Sequence, residues 1–195
     1  MSIAFVLGNG RSRLGLNLES LHNSGKTFGC NALYRDFFPD VLVATDPGIT
    51  KEIESSDYPE KNTFYTRKPG HTNSKLITKN SGYSSGPIAV TYAAKEEFLR
   101  IYMIGFDLVG INNKHNNVYS GTSNYLEVDS KATYYGNWVN QISDIAKEYP
   151  VSKFIRVGDA NQYRPNEWNL PNIEFQTIDE FLKEVNTVSW QKQKE

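Results

Sequence analysis

Short apolar runs, each closed by small or hydrogen-bonding residues such as glycine, asparagine and aspartate, punctuate the chain at 3–7, 27–30, 41–45, 63–65, 101–105 and 153–157. A strand covered on both faces reads as a continuous apolar run rather than an alternation, and runs this short favour strands over buried helices. Six strands are predicted. Between them, 32–38, 48–55, 87–99 and 134–149 carry helical patterns, the last two most clearly. In Ser84-Ser85-Gly86-Pro87 the serines offer N-caps, and the proline suits a first helical turn because its missing N–H has no partner there anyway. Strands alternating with helices imply right-handed crossovers and a parallel sheet. The expected class is therefore α/β, three αβα layers around a mostly parallel sheet. Strand 3–7 should be central, flanked by the strands ending at Asn31 and Gly105.

Two stretches break the rhythm. Segment 67–83 reads as a loop of Gly, Asn, Ser and Thr. Segment 108–133, about 26 residues rich in Asn, Gly and Ser, exceeds the length of about 15 above which structureless loops are usually functional or disordered, and it is read as a lid-like insertion. A terminal helix is expected at 179–185, with 191–195 fraying. Neither a repeat nor a linker interrupts 1–195, so one domain is expected.

Composition narrows the function classes. The 21 basic and 22 acidic residues leave a net charge of −1, without the positive field of a general nucleic-acid binder. Twelve Tyr and ten Phe supply much of the material for a core. A lone cysteine, Cys30, cannot form an internal disulfide, which suits a reducing compartment. The run at 3–7 is too short for a signal-peptide core, and nothing approaches the ~18 apolar residues of a membrane span. A cytoplasmic protein without a membrane span is expected.

The strand runs end in Gly8-Asn9-Gly10, Cys30-Asn31, Asp46-Pro47-Gly48, Gly105-Phe106-Asp107 and Gly158-Asp159. In open α/β sheets ligands bind outside the carboxyl ends of the strands, where helix N-termini present free N–H groups, so these ends predict one shared site. Gly8-x-Gly10 is only part of a dinucleotide fingerprint, since Arg13 stands where the third glycine belongs and no Walker-type Gly-Lys-Ser/Thr occurs. A plain tight turn explains it as well as ligand contact does. Capping alone would likewise account for Ser84 and Ser85, and for Asp46 and Asp107. His22 and His71 lie in polar stretches and read as surface residues, whereas His115, in the lid beside Asn116 and Asn117, is a candidate general base. No Cys-x-x-Cys, His-x-x-x-His or Asp-x-Asp occurs, so neither a metal nor another cofactor is expected.

Taken in order, Gly8-Asn9-Gly10-Arg11-Ser12, Phe28-Gly29-Cys30-Asn31, Asp46-Pro47, Ser84-Ser85-Gly86 and Ile104-Gly105-Phe106-Asp107 resemble the strand-end motifs of the bacterial sialyltransferases of the Campylobacter lipooligosaccharide type. The resemblance spans residue 3 to about residue 108 and implies a Rossmann-like, metal-independent fold. It implies a cytidine-nucleotide sugar pocket at Asn9, Asn31, Ser85 and Gly86, and with their neighbours the nucleotide-binding candidates are Gly8, Asn9, Gly10, Ser12, Asn31, Asp46, Ser84, Ser85, Gly86 and Asp107. Asp46 stands where the family has asparagine. The resemblance implies counterparts of the family's lid tyrosines, which bond the departing phosphate, in Tyr119 and Tyr134, giving His115, Tyr119 and Tyr134 as catalytic candidates. The family's histidine before the late helix corresponds here to Asn137, an amide that cannot accept a proton at neutral pH.

Three readings follow. The first is a glycosyltransferase-like protein that binds a nucleotide-activated sugar, CMP-sugar favoured, and passes the sugar without metal to an acceptor that the sequence does not name. The second is a nucleotide-binding module that has lost transfer. The third, a pyrophosphate-transferring enzyme, would need Mg²⁺ on clustered carboxylates that the sequence lacks.

Overall fold

The computed structural model describes residues 2–192. Eight strands form one sheet in the order β5-β4-β3-β2-β1-β6-β7-β8, and every pairing is parallel. They are β1 (Ile3–Leu7), β2 (Lys26–Cys30), β3 (Val41–Ala44), β4 (Thr63–Thr66), β5 (Ser74–Leu76), β6 (Arg100–Ile104), β7 (Lys153–Gly158) and β8 (Ile173–Thr177). The first strand is central, between β2 and β6, as its wholly buried sequence requires. Two strands were not anticipated. Strand β5 interrupts the expected loop 67–83 and β8 follows β7; both are sheet edges, half-exposed or exposed over most of their length, and lack an apolar run.

The helices are α1 (Pro47–Glu54), α2 (Tyr58–Lys61), α3 (Ser85–Lys95), α4 (Gly136–Glu148) and α5 (Ile178–Lys192). The segment expected as a helix at 32–38 is instead a short 3₁₀ turn, Asn31–Arg35. The terminal helix runs beyond 179–185; of the segment expected to fray, 191 and 192 are helical and 193–195 lie outside the described residues.

Two cores sandwich the sheet. On one face Ala4, Val6, Phe28 and Met103 pack against α3 and α4. On the other, Phe5, Leu7, Leu42 and Ile104 pack against Leu33, Ile49, Tyr58 and Phe181. This arrangement follows from the chain path. Connections leading from β1 out to β4 cover the second face, then α3 returns across the first face to start β6 beside β1. The two halves of the sheet thus wind in opposite directions, and the reversal falls between β1 and β6. Helix α3 crosses the middle of the sheet, and Pro87–Ala94 is buried throughout.

The insertion at 108–133 contains no helix and no ladder strand, only isolated bridges joining Ile111 to Lys114 and Lys114 to Lys131. Side chains anchor it. Tyr119, 5% exposed, donates to Asp36 at 2.6 Å and accepts from Arg13 at 2.9 Å. The Tyr125 hydroxyl accepts from the Ala32 amide at 3.2 Å, and Arg35 donates to Thr122 at 2.8 Å. Arg13, which stands where a dinucleotide fingerprint has its third glycine, is buried and holds the insertion on the sheet's second face.

Candidate functional site

A cleft of about 390 Å³ opens over the carboxyl ends of β1, β2, β3 and β6, across the reversal point of the sheet. Small-molecule sites run from about 300 to 1,000 Å³ and favour this position in open α/β sheets. Asn9, Asn31, Asp46, Ser85 and Asp107, from four strand ends and the start of α3, all line it. So do Gly8, Gly10, Ser84 and Gly86. Ser12 does not. Both its amide and its hydroxyl are spent on the Asp107 carboxylate, and it lines a second, adjacent cavity.

The backbone at the cleft is held in uncommon conformations. Asn31 (φ 53°), Gly105 (φ 73°) and Leu108 (φ 65°) are left-handed. For leucine that region is costly, and residues so held cluster at binding sites. Gly105 and Gly8 face each other so closely that a Cβ on Gly105 would lie 2.8 Å from the Gly8 carbonyl oxygen. That contact lets β1 and β6 end side by side on the floor of the cleft.

Two chemical demands divide the cleft. The Asn9 amide nitrogen donates to the Cys30 carbonyl at 3.4 Å and to Tyr125 at 3.3 Å, which turns its oxygen the other way. Asn9 Oδ1 and Asn31 Oδ1 are both buried and, among the described residues, without a partner. A buried acceptor left unpaired costs about 1–3 kcal/mol, so these two oxygens call for hydroxyl or amino donors.

The N-terminus of α3 lines the same cleft. Ser84 holds the N-cap position but makes no side-chain cap bond, and the Ser85 hydroxyl is engaged with Thr45, 2.9 Å from its Oγ1. Pro87 has no N–H, and the Ile88 amide already donates to Ser84. The open amides of the first turn are thus those of Ser85 and Gly86, facing a cleft that Arg67 also lines. Arg67 is fixed beside them by bonds to the carbonyls of Ser81 (2.7 Å) and Tyr83 (2.8 Å). Helix amides and a guanidinium together favour an anion. Asp46 holds the N-cap position of α1, again without a side-chain cap bond, and is exposed at the rim. Capping by their side chains therefore does not account for Ser84 or Asp46.

Cys30 also lines the cleft, but burial pushes its thiol up to about 12, against a smaller opposing effect of Arg13, so it stays protonated and is no nucleophile at neutral pH. His115, Tyr119 and Tyr134 line neither the cleft nor the adjoining cavity. His115 is half-buried in the insertion, its Nδ1 3.4 Å from Thr133 Oγ1 and its Nε2 buried without a partner among the described residues. Burial lowers its pKa, so the ring is neutral at pH 7 and can accept a proton. Tyr119 is pinned on the second face, where burial and the Asp36 carboxylate raise its pKa. Tyr134 is 74% exposed and stacks on Tyr135. Asn137 is exposed on the first turn of α4; its neighbour Trp138 reaches the cleft instead.

Sequence reasoning missed Arg67, Trp138 and the lining role of Phe106. Arg67 sat in a stretch read only as a loop, and Trp138 reaches the cleft through the packing of α4 on α3, which no local signal announces. Among the described residues, no group of three or more His, Cys, Asp and Glu could hold a metal ion, and no helix is long and apolar enough to cross a membrane.

The fold and cleft define an α/β protein with a doubly wound parallel sheet and a ligand-sized opening at its reversal point. No family model and no curated protein matches the chain. Among solved structures it is similar to the sialyltransferase CstII from Campylobacter jejuni, determined in complex with the substrate analogue cytidine-5'-monophosphate, at 14% identity and a TM-score of 0.49 over 88% of this chain and 86% of that one.

Proposed function

We propose that the chain is a glycosyltransferase-like protein whose first cleft binds a nucleotide-activated sugar, a CMP-sugar by the resemblance of its strand-end motifs. The observation that carries the reading is the pairing of orphaned acceptors with an open helix N-terminus: Asn9 and Asn31 call for donors, while the Ser85 and Gly86 amides with Arg67 call for an anion. A nucleotide offers both at once, since ribose hydroxyls and an exocyclic amine donate and phosphate oxygens accept. In transfer, the bond from the sugar's anomeric carbon to the phosphate oxygen breaks, and its electron pair leaves with the phosphate. The acceptor hydroxyl oxygen bonds to that carbon, and its proton passes to a base, for which His115 is the candidate. Nucleotide binding and transfer without metal both belong to this proposal.

A specific observation favours a second reading, a module that binds without transfer: His115 lines neither cavity, and the position matching the family's histidine is an exposed asparagine. Thermal-shift titration with CMP, CDP, UDP, GDP and ATP tests the binding step, because a ligand at 100 times its Kd stabilises the native state by about 2.7 kcal/mol. The proposal expects CMP to shift the midpoint most; no shift with any nucleotide would overturn it. Transfer is then tested with a CMP-sugar, His115→Ala being expected to lower turnover by about 10²–10⁴ with donor affinity nearly unchanged. Tight CMP binding without turnover, indifferent to that substitution, would select the module.

A further inference from the structure

Five titratable side chains line the first cleft: Cys30, Asp46, Arg67, Tyr83 and Asp107. Four of them are unsuited to take a proton there. The Cys30 thiol keeps its own, being pushed up to about 12 chiefly by burial, and burial together with the Asp144 carboxylate raises the Tyr83 phenol. Arg67 only donates. Asp107 has both oxygens engaged, by the Ser12 amide and hydroxyl and by the Asn116 amide. Asp46 is different. It holds the N-cap position of α1, yet its side chain makes no cap bond, and among the described residues its carboxylate has neither a hydrogen bond nor an ion pair.

The residue before it fixes its place. The Ser85 hydroxyl accepts from the Thr45 amide at 3.1 Å and lies 2.9 Å from Thr45 Oγ1, so Asp46 leaves the end of β3 beside the first turn of α3. That turn carries the open amides of Ser85 and Gly86, in a cleft that Arg67 also lines. A site that only held an anion would gain nothing from an unpaired carboxylate next to those donors, since like charges repel. A site that breaks a phosphate ester has a use for one.

We propose that Asp46 is the catalytic base of sugar transfer. The proposal rests on the donor reading of the first cleft. With the phosphate on the Ser85 and Gly86 amides and Arg67, the anomeric carbon stands one ester oxygen away from phosphorus, within reach of the Asp46 carboxylate. As the bond from that carbon to the phosphate oxygen breaks, its electron pair leaves with the phosphate, and the carboxylate faces the positive charge that develops on the carbon. The acceptor hydroxyl oxygen bonds to the carbon, and its proton passes to an Asp46 oxygen, which later returns it to water. This supplies what the rest of the site lacks, because His115 lines neither cavity and the exposed Asn137 is an amide that cannot accept a proton.

The test uses the full chain with CMP-N-acetylneuraminic acid as donor and lactose or water as acceptor, reading CMP release, alongside the CMP thermal shift. Asp46→Asn keeps the side chain's shape and a residue type suited to the N-cap, so the fold is retained. It should lower kcat by about 10²–10⁴ and leave the CMP shift unchanged. Formate, a small carboxylate, should restore part of the rate lost in Asp46→Ala and leave the wild type unaffected. Turnover kept in Asp46→Asn overturns the proposal, as does turnover lost in His115→Ala but not in Asp46→Asn. A CMP shift weakened in Asp46→Asn with kcat unchanged gives Asp46 a place in holding the nucleotide and overturns it as base. A CMP shift in the wild type with no release from the donor overturns the base and selects the module, whereas no CMP shift at all overturns the donor reading beneath it.

Discussion

The Ser12 amide donates to Asp107 Oδ2 at 2.9 Å, and the Ser12 hydroxyl donates to the other oxygen of the same carboxylate. One aspartate at the end of β6 thereby holds the turn after β1, and through Asn116 it holds the insertion as well. Asp107→Ala removes the acceptor for three donors, the Ser12 amide, the Ser12 hydroxyl and the Asn116 amide. It should lower stability by about 2–4 kcal/mol in urea unfolding, as expected when charge-assisted bonds are lost at a part-buried site. Asp107→Asn keeps one acceptor oxygen and should cost about half as much.

Asn31 combines a left-handed backbone with a buried, unpartnered carboxamide oxygen. Glycine takes that conformation without steric cost, so Asn31→Gly separates the side chain's binding role from its structural one. Isothermal titration should show CMP affinity falling by about five- to tenfold, the loss of one hydrogen bond, with urea stability changed by less than ~1 kcal/mol. Asn31→Ala should lose the same affinity and about 1–2 kcal/mol of stability besides, because alanine's Cβ meets the following carbonyl in that region.

The fold's centre was legible because burial writes itself into composition: β1, β3 and β6 are apolar along nearly their whole length since both faces are covered. Edges are not written this way. Strand β5, reading Ser74-Lys75-Leu76, owes its existence to the open edge of β4 and not to any pattern of its own. The same asymmetry holds at the cleft. Asn9, Asn31, Asp46 and Asp107 were found because strand ends converge by topology, whereas Arg67 arrives by a tertiary route. Tyr119 drew a functional reading because a tyrosine inside a polar segment looks the same in sequence whether it grips a ligand or, as here, the protein itself.

Cys30 gives a pH signature. Its thiol is raised from 9.0 to about 12, chiefly by burial, so between those values the unfolded chain loses a proton that the native protein keeps. The native state then binds more protons, and the stability this group contributes is full below about pH 9 and falls as pH rises toward 12. Alkylation by iodoacetamide at pH 8 should accordingly be slow in the native protein and fast in urea, with the native rate following the population of opened molecules. Native alkylation as fast as that of the unfolded chain would contradict the burial.

The insertion meets the first cleft through the Val118 amide, which donates to the Asn9 carbonyl at 2.8 Å, and through the side chains of Asn116 on Asp107 and Tyr125 on Asn9. The rest is held by its own turns and by side chains on the second face, such as Tyr119 on Asp36 and Arg35 on Thr122. Closure over a ligand is therefore expected to be local. A nucleotide that satisfies the Asn9 side chain fixes that residue and with it the Val118 contact, while Asn116 and Asn117, which line the cleft, gain a neighbour. In hydrogen exchange with and without CMP, protection should rise most at 116–118 and change little at 121–130, whose backbone bonds, Gly121 to Leu126 and Ser130 to Glu127, lie within that turn. Equal protection at 116–118 in both states, measured at saturating CMP, would show that the insertion is a fixed wall and not a lid.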